Sequence, residues 1–207
     1  MSPVAARLAA RAGVQRVPSP KLEMFIVRDF IDAASCAAMI ALIDARRRPS
    51  TIADDLGEAA FRTSETCDLD GREADVAMVD AAIAGLLGID AAFGEPIQGQ
   101  RYAPGQEFKP HTDTFEPGRA DYFEHCAEAG NRTWTAMVYL NDVEAGGATR
   151  FKTLGKTIQP ERGKLLSWNN LLADGVPNPA TLHQGMKVRS GTKYILTKWW
   201  RERALTA

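Results

Sequence analysis

The sequence predicts a mainly β fold with flanking helices (α+β), in which about eight short strands form a sandwich or barrel. Two observations carry that expectation. Up to residue 88, apolar residues recur at helical spacing in two long segments. From Ala92 onward the pattern changes to short runs separated by turn signals. Helices first and strands afterwards fit a sheet with helices on one outer face.

Taken in order, residues 1–20 place Arg7, Arg11 and Arg16 among Ala and Val and read as a loose arm. No continuous apolar stretch follows, so no signal peptide is expected. Leu22 to Val27 is a short apolar run that suits a strand. Asp32 stands where an N-cap belongs, ahead of a helix expected over 33–47. There Cys36, Met39, Ile40 and Ile43 recur at helical spacing, and the arginines suit the C-terminal end. Residues 49–70 are polar and broken, although Phe61 to Thr66 alternate in a way that suits a strand. A second helix is expected over 72–87, with Val76, Met78, Val79, Ala82, Ile83 and Leu86 apolar and Gly88 as its stop. Candidate strands follow at 97–102, 107–111, 133–140, 148–151, 157–158, 164–168, 181–188 and 193–200. Pro104-Gly105, Ala145-Gly146-Gly147, Arg162-Gly163 and Ser190-Gly191 separate them. The expected organisation of residues 1–207 is one domain: the arm over 1–20, a helical support region over 21–95 and a strand-rich core over 96–203. The segment from Thr114 to Arg132 is long, polar and acidic, and fits either a lid or binding loop or a mobile surface excursion.

Composition excludes several function classes. With 25 Lys+Arg against 26 Asp+Glu and a net charge of −1, nothing draws the chain to nucleic acid or to a membrane surface. No segment approaches the roughly 18 apolar residues of a membrane span. Cys36, Cys67 and Cys126 form no CxxC pair and no zinc pattern, which suits a reducing cytoplasm.

The chemistry concentrates at His111-Thr112-Asp113. An imidazole and a carboxylate two residues apart lie on one side of an extended strand, where both can grip one metal ion. Two His and one carboxylate on one face suit non-haem Fe(II) and leave three positions open. A third ligand is then needed, and His125 and His183 are the candidates. His125 lies in the polar loop among Glu124 and Glu128, whereas His183 lies in a credible strand that a barrel can bring beside His111.

Two strands frame this site. Over 193–200, Lys193, Ile195, Thr197 and Trp199 share one face, and both faces are largely apolar. A lysine buried there is costly unless it meets an anion, either an Asp or Glu of the protein or a carboxylate from a cosubstrate. Over 133–140, Trp134, Ala136, Val138 and Leu140 should pack under the helices. Thr133, Thr135, Met137 and Tyr139 make a face polar enough to line a cavity, with a solvent-facing surface as the alternative.

In this order over Arg101–Glu202, RYAPGQEFKPHTD, RTWTAMVYLNDVEAGGATRF, LLSWNN and HQGMKVRSGTKYILTKWWRE resemble the prolyl 4-hydroxylase family of Fe(II)/2-oxoglutarate-dependent dioxygenases. FIVRDFIDAASCAAMIALI and RTSET are similar in kind but more weakly marked. The resemblance implies a double-stranded β-helix, or jelly roll, with N-terminal helices packed on one sheet. It implies that His111, Asp113 and His183 bind Fe(II) and that Lys193 pairs with the distal carboxylate of 2-oxoglutarate. Tyr139 matches a hydroxyl that helps there, with Thr135 on the same face, and Tyr102 matches a tyrosine that approaches the cosubstrate. Trp199 matches an aromatic near the substrate channel, and Arg132 a substrate-side arginine.

The implied reaction consumes O2 and 2-oxoglutarate, releases succinate and CO2, hydroxylates an unactivated C–H bond and takes ascorbate as an accessory reductant. Halogenating relatives lack the carboxylate, so Asp113 favours hydroxylation. The favoured substrate is a prolyl residue in a peptide or protein. The alternatives are a free amino acid or other small metabolite, or a non-catalytic, cupin-like metal-binding sensor, which has no need of a buried Lys193.

Overall fold

A computed structural model describes residues 1–50, 61–118 and 120–205. Residues 51–60, part of the stretch read as polar and broken, lie outside these. Helix α1 (Pro3–Ala9), strands β1 (Val14–Arg16) and β2 (Met24–Val27), helix α2 (Ala33–Arg46), strands β3 (Arg48–Pro49) and β4 (Glu65–Asp68) and helix α3 (Ala74–Leu87) come first. Strands β5 (Gln98–Tyr102) and β6 (Phe108–His111), helix α4 (Ala120–Cys126) and strands β7 (Arg132–Tyr139), β8 (Ala145–Gly146), β9 (Thr149–Phe151) and β10 (Lys156–Ile158) follow. The chain closes with β11 (Leu165–Asn169), β12 (His183–Gly185), β13 (Val188–Ser190) and β14 (Lys193–Arg201).

Among the described residues these strands make an eight-stranded sheet, in the order β1-β2-β11-β7-β14-β5-β4-β3, and a four-stranded sheet, β10-β9-β12-β6. Strands β13 and β8 pair separately. All pairings are antiparallel, and the two larger sheets face each other as a jelly roll. Tyr102, Met137, Tyr139, Leu166, Trp168 and Ile195 from the large sheet pack against Phe151, Phe108 and Ile158 from the small one.

The other face of the large sheet carries the helices. Trp134, Ala136, Val138 and Leu140 of the β7 segment lie there with Cys36, Met39 and Ile43 of α2 and Val76, Val79 and Ile83 of α3. The alternation read along 133–140 therefore separates the helix-facing core from the interior between the sheets, as a period of two requires. Helix α2 begins at Asp32, whose carboxylate accepts from Ser35 N at 2.8 Å. Helix α3 ends at Gly88, whose left-handed φ of 71° lets its N–H reach Ala84 O at 2.7 Å. Close approach of α2 to the sheet needs Gly99 in β5, because a Cβ there would stand 2.4 Å from Ile43 Cγ1.

Several expectations need correction. The first 20 residues are not a loose arm. Ser2 caps α1, Ala5 and Leu8 are fully buried, and β1 adds an edge strand to the large sheet. Arg7 and Arg11 donate to Gly85 O and Leu86 O, carbonyls left open at the C-terminal end of α3. A seven-residue helix is too short for a periodicity signal. The region 21–95 is more than helical support, since β2, β3 and β4 join the large sheet. The alternation over Phe61–Thr66 yields a bridge at Arg62 and a strand only from Glu65. Met78 and Ala82 lie on the exposed side of α3. The run 181–188 divides into a 3-10 turn at Pro179–Thr181, then β12, then β13, because the chain changes ladder after Gly185.

Candidate metal centre

Strands β6 and β12 are neighbours, and their register sets His183 opposite His111. The two imidazole centroids lie 4.3 Å apart. Asp113 follows just beyond the end of β6, with its Oδ1 at 3.9 Å from His111 Nε2. One donor atom from each of His111, Asp113 and His183 lies within 4.8 Å of the others. His125, the competing candidate, sits on α4 with its ring 4.8 Å from Phe115 and is outside this group.

Each donor is aimed by a second contact. His111 Nδ1 donates to Lys109 O at 2.8 Å and His183 Nδ1 to Thr181 O at 2.9 Å, an assignment that places the lone pair of each ring on Nε2. Asp113 Oδ2 accepts from Thr135 Oγ1 at 2.7 Å, which leaves Oδ1 toward the imidazoles. Rings hold the imidazoles in plane: Phe108 stacks on His111 at 3.6 Å and Trp168 meets His183 edge-on at 5.0 Å. Burial, followed by the neighbouring His183, pushes the His111 pKa down to about 3, so His111 stays neutral and able to ligate. Burial alone would raise Asp113, but the two neighbouring imidazoles, the Arg132 guanidinium and the Thr135 hydroxyl hold it below its ordinary value. Two imidazoles and a carboxylate are the donor set of a mononuclear Fe(II) site, and these residues fit it.

The same cavity contains Lys193, which is 1% exposed. Its Nζ lies 5.1 Å from the Tyr102 ring centroid and 5.5 Å from that of Tyr139. Burial pushes its pKa down to about 7, and no carboxylate among the described residues offsets that. A Cβ at Gly185 would stand 3.9 Å from Lys193 Nζ, so the absent side chain keeps open the space in front of the ammonium. Gly185 and His183 lie two residues apart on β12. Lys193 and His183 line the same cavity.

The cavity brings some expected residues together and not others. Tyr102 lines it, with its hydroxyl donating to Gln100 Oε1 at 2.7 Å. Tyr139 donates to Thr149 Oγ1 at 2.7 Å, and burial raises its pKa. Trp199 lines the wall with an Arg132 guanidinium 4.0 Å above its ring.

Two roles change. Thr135 does not face Lys193, since its hydroxyl is taken by Asp113. Arg132 is bound by Glu95, through Nε and Nη2 each at 2.7 Å, and packs on Trp199 rather than opening to the cavity. An arginine beside a buried carboxylate pairs with it before any ligand arrives. Sequence reasoning missed Thr149 and Arg62. Thr149 was findable, because Thr149 and Phe151 alternate inward around exposed Arg150. Arg62 lines the cavity over the Phe108 ring and donates to Gln98 Oε1 at 2.9 Å. Its signal was the shared face of Arg62, Ser64 and Thr66.

The segment after Asp113 is docked. Asn131 exchanges two hydrogen bonds with the Phe115 backbone, and Arg201 donates to Gly130 O and His125 O, both at 2.8 Å.

Residues 97–201 match the 2OG-Fe(II) oxygenase superfamily. Prolyl 4-hydroxylase 1 of Arabidopsis thaliana is 31% identical over 206 residues, covering 90% of this chain and 70% of that protein. The chain belongs to the prolyl 4-hydroxylase family. Prolyl 4-hydroxylase subunit alpha-1 of Homo sapiens is 33% identical over 180 residues, which is 84% of this chain and 34% of the subunit. The chain thus spans about a third of the length of those animal relatives. A viral collagen prolyl hydroxylase from Paramecium Bursaria Chlorella virus-1, solved as a 2OG complex, shares 26% identity at a TM-score of 0.68, covering 86% of this chain and 95% of the viral one. A Pseudomonas putida prolyl-4-hydroxylase at 20% identity shares the fold, with a TM-score of 0.64 over 97% of this chain and 98% of the other. The cofactor of the family is Fe(II), with 2-oxoglutarate and O2 as cosubstrates.

Proposed function

We propose that the chain hydroxylates an unactivated C–H bond of a prolyl residue in a peptide or protein, using Fe(II), 2-oxoglutarate and O2. The observation that carries this reading is Lys193: a buried cation with no carboxylate partner among the described residues, in one cavity with three converging metal donors. A metal-binding scaffold would gain nothing from that cost. The roles are assigned as follows. His111, Asp113 and His183 hold the metal. Lys193 takes the far carboxylate of 2-oxoglutarate, and the Tyr139–Thr149 hydroxyl pair and Tyr102 line that end.

Held by His111, Asp113, His183 and Lys193, Fe(II) and 2-oxoglutarate would supply the oxidation, with 2-oxoglutarate and O2 consumed, succinate and CO2 released, and one oxygen atom of O2 going to succinate and the other to the substrate. The protein's own contribution is orientation and exclusion of water. Phe108, Met137, Ile195 and Trp168 give the cavity apolar walls, which keep the charges inside it strong. Trp199, braced by Arg132, forms the wall assigned to the substrate side.

The test is anaerobic loading with Fe(II) and 2-oxoglutarate, followed by O2 and proline-containing peptides. Succinate and a peptide heavier by one oxygen atom are expected. No succinate with any peptide overturns the reading. Succinate coupled to oxidation of a free amino acid instead would move the substrate to a small metabolite and keep the chemistry.

A further inference from the structure

We infer that Asn170 is a positioning residue for the metal-binding carboxylate, acting through Thr135 along the chain Asn170 to Thr135 to Asp113. The inference rests on the assignment of His111, Asp113 and His183 as metal ligands. Asn170 and Thr135 are both fully buried, the first just past the end of β11 and the second inside β7. Asn170 Nδ2 donates to Thr135 Oγ1 at 2.8 Å, and Thr135 Oγ1 donates to Asp113 Oδ2 at 2.7 Å.

The polarity of this chain is fixed. A hydroxyl carries one proton, and an ionised carboxylate only accepts, so the Thr135 proton belongs to Asp113. Whatever approaches Thr135 from behind must be a donor, and the Asn170 amide supplies one. The Asn170 amide, donating to one lone pair of the hydroxyl, fixes the rotor so that its proton points at Asp113 Oδ2. That oxygen is held back, and Oδ1, at 3.9 Å from His111 Nε2, is the one presented to the metal.

The rest of Asn170 does not explain its side chain. Its backbone N–H donates to Thr133 O at 2.7 Å, and its carbonyl accepts from Asn178 N at 2.8 Å, bonds that any residue could make. Its amide oxygen Oδ1 is buried with no partner among the described residues. A buried amide with an unmatched oxygen costs stability, so a residue kept for packing alone would be apolar here. The bond to Thr135 is the use the structure makes of the polar group.

The test is anaerobic titration with Fe(II), repeated with Mn(II), on the full chain carrying Thr135→Ser, Thr135→Val, Asn170→Leu and the Val/Leu double substitution. Melting curves check the fold. Asn170→Leu keeps the number and branching of heavy atoms and removes both polar atoms, and it should still melt in one cooperative transition. Thr135→Ser keeps the hydroxyl and should bind metal within about threefold of wild type. Thr135→Val should bind about 10- to 100-fold more weakly, the usual cost of losing a partner that orients a ligand. Asn170→Leu should weaken binding several-fold, and the double variant should match Thr135→Val, since Asn170 acts only through the hydroxyl. Wild-type affinity in Asn170→Leu, or additive losses in the double variant, would overturn the proposal. Should Asn170→Leu not fold, Asn170→Ala replaces it under the same criteria. Failure of wild type to bind one metal ion, or equal binding by His183→Ala, would refute the ligand assignment instead.

Discussion

Lys193→Met is expected to stabilise the unliganded protein while weakening 2-oxoglutarate binding by about two to three orders of magnitude. Both effects come from one buried ammonium. Burial lowers the folded-state pKa of Lys193 from 10.5 to about 7. A lysine with a depressed folded pKa costs nothing above the unfolded value. The cost grows as pH falls from 10.5 and is complete below about 7. At pH 7 it amounts to about 4 kcal/mol, and methionine, of similar length and without charge, removes it.

Binding moves the other way. Removing one partner of a desolvated charge pair costs about 2–5 kcal/mol, because the cosubstrate carboxylate is then buried alone. Denaturant unfolding between pH 6 and 10 should show the variant more stable at the acid end, with the difference closing as pH rises. In wild type, binding of 2-oxoglutarate should take up a proton above pH 7, so affinity should fall as pH rises past that point. Calorimetry in buffers of different ionisation enthalpy measures this uptake. A variant less stable at pH 7, or with wild-type affinity for 2-oxoglutarate, would contradict the role given to Lys193.

His183→Ala is expected to abolish metal-dependent stabilisation and turnover while leaving a folded protein. His183 is one of three donors, and its loss leaves a two-donor site. The structural cost is smaller: the ring packs between Phe151 and Trp168, so truncation should destabilise by about 2–4 kcal/mol, in the range of buried large-to-small changes. Wild type with metal at a hundred times its dissociation constant should gain about 2.7 kcal/mol of stability from binding. The variant should gain none, and metal retained after dialysis should fall to background. Equal metal-induced stabilisation of the two proteins would remove His183 from the ligand set.

The parts legible in the sequence are those set by a period. Alternation along 133–140 set the face expected under the helices apart from the more polar one, and along 193–200 it put Lys193, Ile195, Thr197 and Trp199 on one face, because a strand cannot move one side chain across without moving all of them. His111, Asp113 and His183 were legible as a set through the family resemblance, since the β6–β12 pairing that joins them links residues more than seventy positions apart and no local pattern states it. The buried lysine was visible as an unpaid charge between apolar neighbours.

What stayed hidden depends on a third residue. Thr135 lies on the correct face, yet which end of the cavity it serves is decided by Asp113 and Asn170. Arg132 looks like a free cation in the sequence, and Glu95, 37 positions away, takes it. Helix α1 is held by Glu23, which accepts from both Ser2 N and Ser2 Oγ, and by arginines that reach the end of α3. None of these contacts has a spacing to read.

One cavity is expected to hold Fe(II) and 2-oxoglutarate together, the metal on His111, Asp113 and His183 and the far carboxylate on Lys193. The most direct test is anaerobic titration of the Fe(II)-loaded protein with 2-oxoglutarate, followed by visible absorption. A weak charge-transfer band that saturates at one equivalent in wild type, and that needs far more 2-oxoglutarate in Lys193→Met at unchanged iron content, is the expected result. Iron bound without any such band at saturating 2-oxoglutarate would contradict the account and leave a metal site without a cosubstrate.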